Sequence, residues 1–148
     1  MSTARIALAN IRVPSTPDES VHLARSAVAE AAHRGARVIC FPECFIPGER
    51  VTDRGLQITV CVINPDGTID PANTFHEKAI LCRAAENTCF VASVNCASKG
   101  SGTTSAIARP DRTLQCYQPY GQEGLLIADL DLSTATGLLA SRYRTLSL

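Results

Sequence analysis

One glutamate in this chain stands where α/β proteins commonly gather their chemistry. Glu43 lies in the stretch Arg37-Val38-Ile39-Cys40-Phe41-Pro42-Glu43-Cys44-Phe45-Ile46-Pro47-Gly48, just past an apolar run that reads as a buried strand. Ligand-binding and catalytic groups of open α/β sheets collect beyond the carboxyl ends of the strands. Beside Phe41, Phe45 and Ile46, partial desolvation would raise the carboxyl pKa and suit it to general-base work. A strand-end glutamate also serves as an acceptor for a backbone amide or simply faces water, so position alone leaves its role open.

The other reactive side chains read more plainly. Cys44 adjoins Glu43, and neighbours on an extended segment point to opposite sides, so the carboxylate does not easily reach that thiol. Cys61 falls inside an alternating strand-like run, a poor setting for a nucleophile. Lys78 reads as a solvated helix-face lysine, and His76 as a cap or surface residue near a helix start. Glu86 and Asn87, near the end of that helix, are expected to satisfy backbone groups. The seven cysteines, Cys40, Cys44, Cys61, Cys82, Cys89, Cys96 and Cys116, are odd in number and form no C-x-x-C pair. That pattern argues against a disulfide framework or a zinc site, and buried reduced thiols are expected.

The elements that must position these groups alternate between strand and helix. Residues 4–13 read as a first strand. Thr16-Pro17-Asp18-Glu19 then places a hydroxyl at the N-cap, proline at the first helical position and a carboxylate three residues on, which starts a helix. Val21, Ala24, Val28 and Ala31 recur at helical spacing as its apolar face, and Gly35 supplies the stop. Residues 36–41 form a short apolar run expected of a strand buried on both faces, completing a β-α-β unit with parallel strands. Residues 56–63 read as a further strand before the turn Asn64-Pro65-Asp66-Gly67, and Thr68-Ile69 begins a return strand that stops almost at once. A helix over residues 74–87 follows, with Phe75, Ala79 and Cys82 stepping round at helical spacing. Strands are expected over residues 89–95, over 106–108 and 113–117 as a hairpin around Pro110-Asp111-Arg112, and over 125–132. A two-residue return strand leaves its predecessor with few pairing partners. The break at Ile69 and Asp70 is the anomaly of the chain.

Composition narrows the classes. The chain has 148 residues, 45% of them hydrophobic, enough for one globular domain with a real core. Fourteen basic residues balance fourteen acidic ones, so no net charge draws it to nucleic acid or to an anionic membrane. The N-terminal residues lack the long apolar core of a secretion signal, and no run of apolar residues has membrane-spanning length, so a cytoplasmic location is expected.

The run Phe41-Pro42-Glu43 followed by Pro47-Gly48, behind a β-α-β start, resembles the surroundings of the catalytic glutamate in the nitrilase superfamily of carbon–nitrogen hydrolases. Arg83-Ala84-Ala85-Glu86-Asn87 leading into an apolar strand that ends at Asn95 is similar to that family's helix and strand beyond its nucleophile. Ser105-Ala106-Ile107 with Pro110-Asp111, then Gly121-Gln122-Glu123-Gly124 and the strand after it, resemble its closing hairpin and last strand. The resemblance implies an α/β fold, a four-layer α-β-β-α sandwich here incomplete, in a single domain spanning residues 1–148. It implies hydrolysis of non-peptide carbon–nitrogen bonds of amides, nitriles and carbamoyl compounds by a Glu-Lys-Cys triad, without metal or organic cofactor, and association into dimers or larger oligomers. In such a triad a thiolate attacks carbon, a carboxylate moves its proton and an ammonium stabilises the developing negative charge.

The same resemblance exposes a gap. Glu43 matches the family's glutamate, but Ile69 passes directly to Asp70-Pro71-Ala72-Asn73, where the family's lysine and cysteine segment is expected. An internal deletion or a mis-joined gene near residues 69–70 is inferred, which would leave an inactive member of the family. The alternative is a non-catalytic interaction module that binds a homologous subunit or a small amide. Missing central strands would expose sheet edges and promote self-association.

Overall fold

The computed structural model describes residues 3–42, 45, 75–97 and 104–138. The expected strand over residues 56–63, the turn after it and the junction of Ile69 with Asp70 lie outside them. In chain order the elements are β1 (Thr3–Asn10), α1 (Pro17–His33), β2 (Val38–Cys40), α2 (Phe75–Asn87), β3 (Val91–Ser93), β4 (Ala106–Ala108), β5 (Leu114–Tyr117) and β6 (Gly124–Asp131), followed by a 3-10 turn at Leu132–Thr134. The described residues form a mixed α/β fold with two three-stranded sheets, ordered β2-β1-β6 and β3-β4-β5.

The first sheet grows from the β-α-β unit. β1 and β2 run parallel, with Ile6 opposite Val38 and Leu8 opposite Cys40. β6 closes on the other side of β1, antiparallel over its full length from Thr3 opposite Asp131 to Asn10 opposite Gly124. Helix α1 begins as its residues dictate: the Thr16 hydroxyl accepts the Glu19 amide at 3.1 Å, and Glu19 Oε2 accepts the Ser15 amide at 2.6 Å. It ends at Gly35, whose φ of +75° is a left-handed conformation that costs glycine little.

Alternation along β1 sorts its side chains into two cores. Ala7, Ala9 and Ile11 join Ala24, Ala27 and Ala31 of α1, with Leu125 from β6. Leu8 points the other way and packs with Ile107 of β4 and with Ala128 and Leu130 of β6. The period of two thus places a helix on one face of the first sheet and the second sheet on its other face. The central strand β4 is completely buried at Ala106, Ile107 and Ala108, and α2 packs beside β3 and β4. Complete burial of a leucine such as Leu8 contributes about 1.5–3 kcal/mol relative to leaving it in water.

Several expectations are corrected. The buried face of α1 is Ser20, Ala24, Ala27 and Ala31, whereas Val21 and Val28 are 44% and 46% exposed. Close approach of the helix to the sheet selects the small residues, and the valines sit on its outer flank. The strand expected over residues 36–41 shortens to Val38–Cys40, and it is not covered on both faces, since Val38 is 52% exposed. β1 ends at Asn10 rather than at Val13, and β3 spans Val91–Ser93 rather than residues 89–95. The hairpin forms as expected: Arg109 and Thr113 pair across a turn with Arg112 at a φ of +73°.

Candidate functional site

Parallel pairing sets where the chain leaves β2. Since Leu8 lies opposite Cys40, the chain leaving β2 through Phe41 and Pro42 emerges at the same end of the sheet as Asn10. Glu43 and Cys44 themselves lie outside the described residues, as does Cys61, but both flanks of the glutamate are seen. Pro42 is buried, Phe45 is only 4% exposed, and the Phe45 amide donates to the Pro42 carbonyl at 3.3 Å. The rings of Phe41 and Phe45 stack with centroids 5.7 Å apart and 25° between planes. Phe45 belongs to the core under α1, with Phe41, Ile39 and Cys96 packed against it. Aromatic stacking and burial fix Phe41, Pro42 and Phe45 in the core.

At this end of the sheets a buried polar cluster joins the two halves of the chain. The Ser105 hydroxyl donates to Asn10 Oδ1 at 2.8 Å and accepts the Asn95 amide at 2.9 Å. Asn10 Nδ2 donates to the Gln122 carbonyl at 2.6 Å. The Asn95 side chain accepts the Cys96 amide at 2.9 Å, and the Ala97 amide donates to the Ile11 carbonyl at 2.9 Å. Next to Ser105, the Thr104 hydroxyl donates to the Gln118 carbonyl, and the Thr104 amide donates to Glu77 Oε1 at 3.2 Å. Asn10 and Glu77 are each 1% exposed, and Ser105 is fully buried. Buried polar groups are costly unless paired, so this cluster demands one arrangement of strand ends.

Sequence reasoning did not single out Glu77, Thr104 or Ser105 for these roles. Glu77 and Ala84, seven residues apart and both buried, mark the true inner face of α2. Of the expected stepping through Phe75, Ala79 and Cys82, Cys82 departs, being exposed, while Ala79 is half-buried and the side chain of Phe75 lies outside the described residues. An acidic residue on a buried helix face gives no hydrophobic signal; its contact with the Thr104 amide shows it accepting a hydrogen bond inside.

Of the remaining candidates, Lys78 and Asn87 fall where their types predict, and the side chain of His76 lies outside the described residues. Lys78 is exposed on α2. Asn87 Nδ2 donates to the Arg83 carbonyl at 2.9 Å, a backbone role as expected. Glu86 instead accepts from Arg83 Nη1 at 3.1 Å in an exposed pair, because at i and i+3 the two side chains meet on the helix surface. His76 falls in the first turn of α2. The thiols expected to be buried are less so: Cys40, Cys89, Cys96 and Cys116 are half-buried. Burial pushes the Cys116 thiol pKa up, with a smaller opposing pull from Arg109, the reverse of what activates a nucleophile. Among the described residues no group of three His, Cys, Asp or Glu is placed to hold a metal ion, and no helix is long and apolar enough to cross a membrane.

A cleft of about 340 Å³ exists elsewhere, lined among others by Phe90, Arg109, Asp111 and Asp129. Asp129 lies opposite Arg5, near the start of β1, at the end of the sheet remote from Pro42.

The sequence pattern of the carbon-nitrogen hydrolases matches residues 5–81, more than half of the 148 residues. The chain belongs to the carbon-nitrogen hydrolase family. The matched stretch takes in β1, α1, β2, Glu43 and the first half of α2; the hairpin β4–β5 and strand β6 lie beyond it. Among curated proteins, none matches this sequence.

Proposed function

We propose that this carbon-nitrogen hydrolase chain supplies Glu43 but no triad lysine or nucleophilic cysteine, and so does not turn over the amides, nitriles or carbamoyl compounds on which such a triad acts. One observation carries the reading. Between Glu43 and α2 the sequence contains no lysine, and the two lysines of the chain, Lys78 and Lys99, both come later. Lys78 is exposed on α2. A carboxylate can accept a proton, but without a thiolate no bond to the substrate carbon forms, and without an ammonium the developing charge is not stabilised. The layer order of α1, first sheet, second sheet and α2 supports an incomplete α-β-β-α sandwich in a single domain, and the direct passage of Ile69 into Asp70-Pro71-Ala72-Asn73 supports an internal deletion or mis-joined gene there.

Ammonia release from a panel of small amides, nitriles and carbamoyl compounds tests this directly. The expected result is release no faster than in buffer. Turnover that disappears both in Glu43→Gln and after thiol alkylation would overturn it.

A second reading draws on one further observation. Among the described residues β2 pairs only with β1, and its Val38 is half exposed; an open edge beside apolar surface invites strand addition. On that reading the chain is an interaction module that self-associates or joins a complete homologous subunit through this edge, a role compatible with a cytoplasmic location. Light scattering after size exclusion, alone and with a complete homologue, checks it. A compact monomer under both conditions would remove this reading and leave the first untouched.

A further inference from the structure

We draw no further inference here: the strongest candidate, the cleft of about 340 Å³ between the β4–β5 turn and the end of β6, sets Arg109 beside Asp111, Asp129 and Asp131, but Asp111 and Asp131 fix their own turns through Thr113 and Ser133 and Asp129 is paired with Arg5, so the cleft is an acidic cluster with no second observation that points to a ligand.

Discussion

The two ends of the β1–β6 pair are held by opposite kinds of chemistry. At the start of β1, the Arg5 guanidinium makes two 2.7 Å hydrogen bonds to the Asp129 carboxylate, and both side chains are nearly half exposed. At its end, Asn10 and Ser105 form a neutral network sealed from water. Exposed ion pairs are screened by water and salt and contribute little, whereas a buried polar group that loses its partner forfeits its hydration without return. The end held by the buried Asn10–Ser105 contact is therefore the firmer one, and it is also the end at which the chain leaves β2 through Pro42.

The sharpest way to break this arrangement lies between the two ends. Leu8→Ala empties a fully buried site shared with Ile107, Ala128 and Leu130, and a loss of about 2–5 kcal/mol is expected. Urea unfolding followed by circular dichroism measures it; a loss well under the lower bound would mean that the two sheets do not share a packed core.

Next come the two members of the buried network. Asn10→Ala and Ser105→Ala should each cost about 1–3 kcal/mol, because each strands the other's polar atoms. The double variant should cost less than the sum of the two, the signature of groups that act together. Strict additivity in that cycle would show that the 2.8 Å contact between them carries no coupling.

The smallest effect belongs to the exposed Arg5–Asp129 pair. Arg5→Gln should lower the melting temperature less than either network variant, and the difference from the parent chain should shrink further in high salt. Its pH dependence has a definite sign. The hydrogen bond from Arg5 holds the Asp129 carboxyl below its ordinary pKa, against a smaller upward push from desolvation and with a still smaller downward pull from the Arg5 charge. A carboxyl with a lower pKa folded than unfolded adds stability above the ordinary carboxylate range, and this is lost as pH falls through that range into the folded pKa. Acid titration of the melting temperature should therefore be less steep in Arg5→Gln than in the parent. Equal slopes would place the acid sensitivity with other lowered carboxylates, such as Glu19, which accepts from the Ser15 amide and from Arg12.

Much of the fold is legible in the order of the residues alone. Thr16 and Pro17 mark the start of α1 and Gly35 its stop, because caps and left-handed turns depend on a few adjacent residues. Pro110-Asp111-Arg112 likewise announces the hairpin, and Asp111 closes it by accepting the Thr113 amide and hydroxyl. The motif around Glu43 points to the carbon-nitrogen hydrolase family, which the match over residues 5–81 bears out. What local pattern misjudges is burial. Val21, Val28 and Val38 carry apolar side chains and stand exposed, while Glu77 and Ser20 lie inside.

Among the described residues, sequence by itself thus determined the order of elements, the caps of α1 and the hairpin turn, and it determined the family, since each of these rests on neighbouring residues or on a short motif. Tertiary structure alone decided which face of each helix turns inward, that β6 returns to pair with β1, and that Ser105 meets Asn10 across 95 positions of chain. Those outcomes depend on surfaces brought together from distant segments, where fit and hydrogen-bond pairing override the polarity of any single residue.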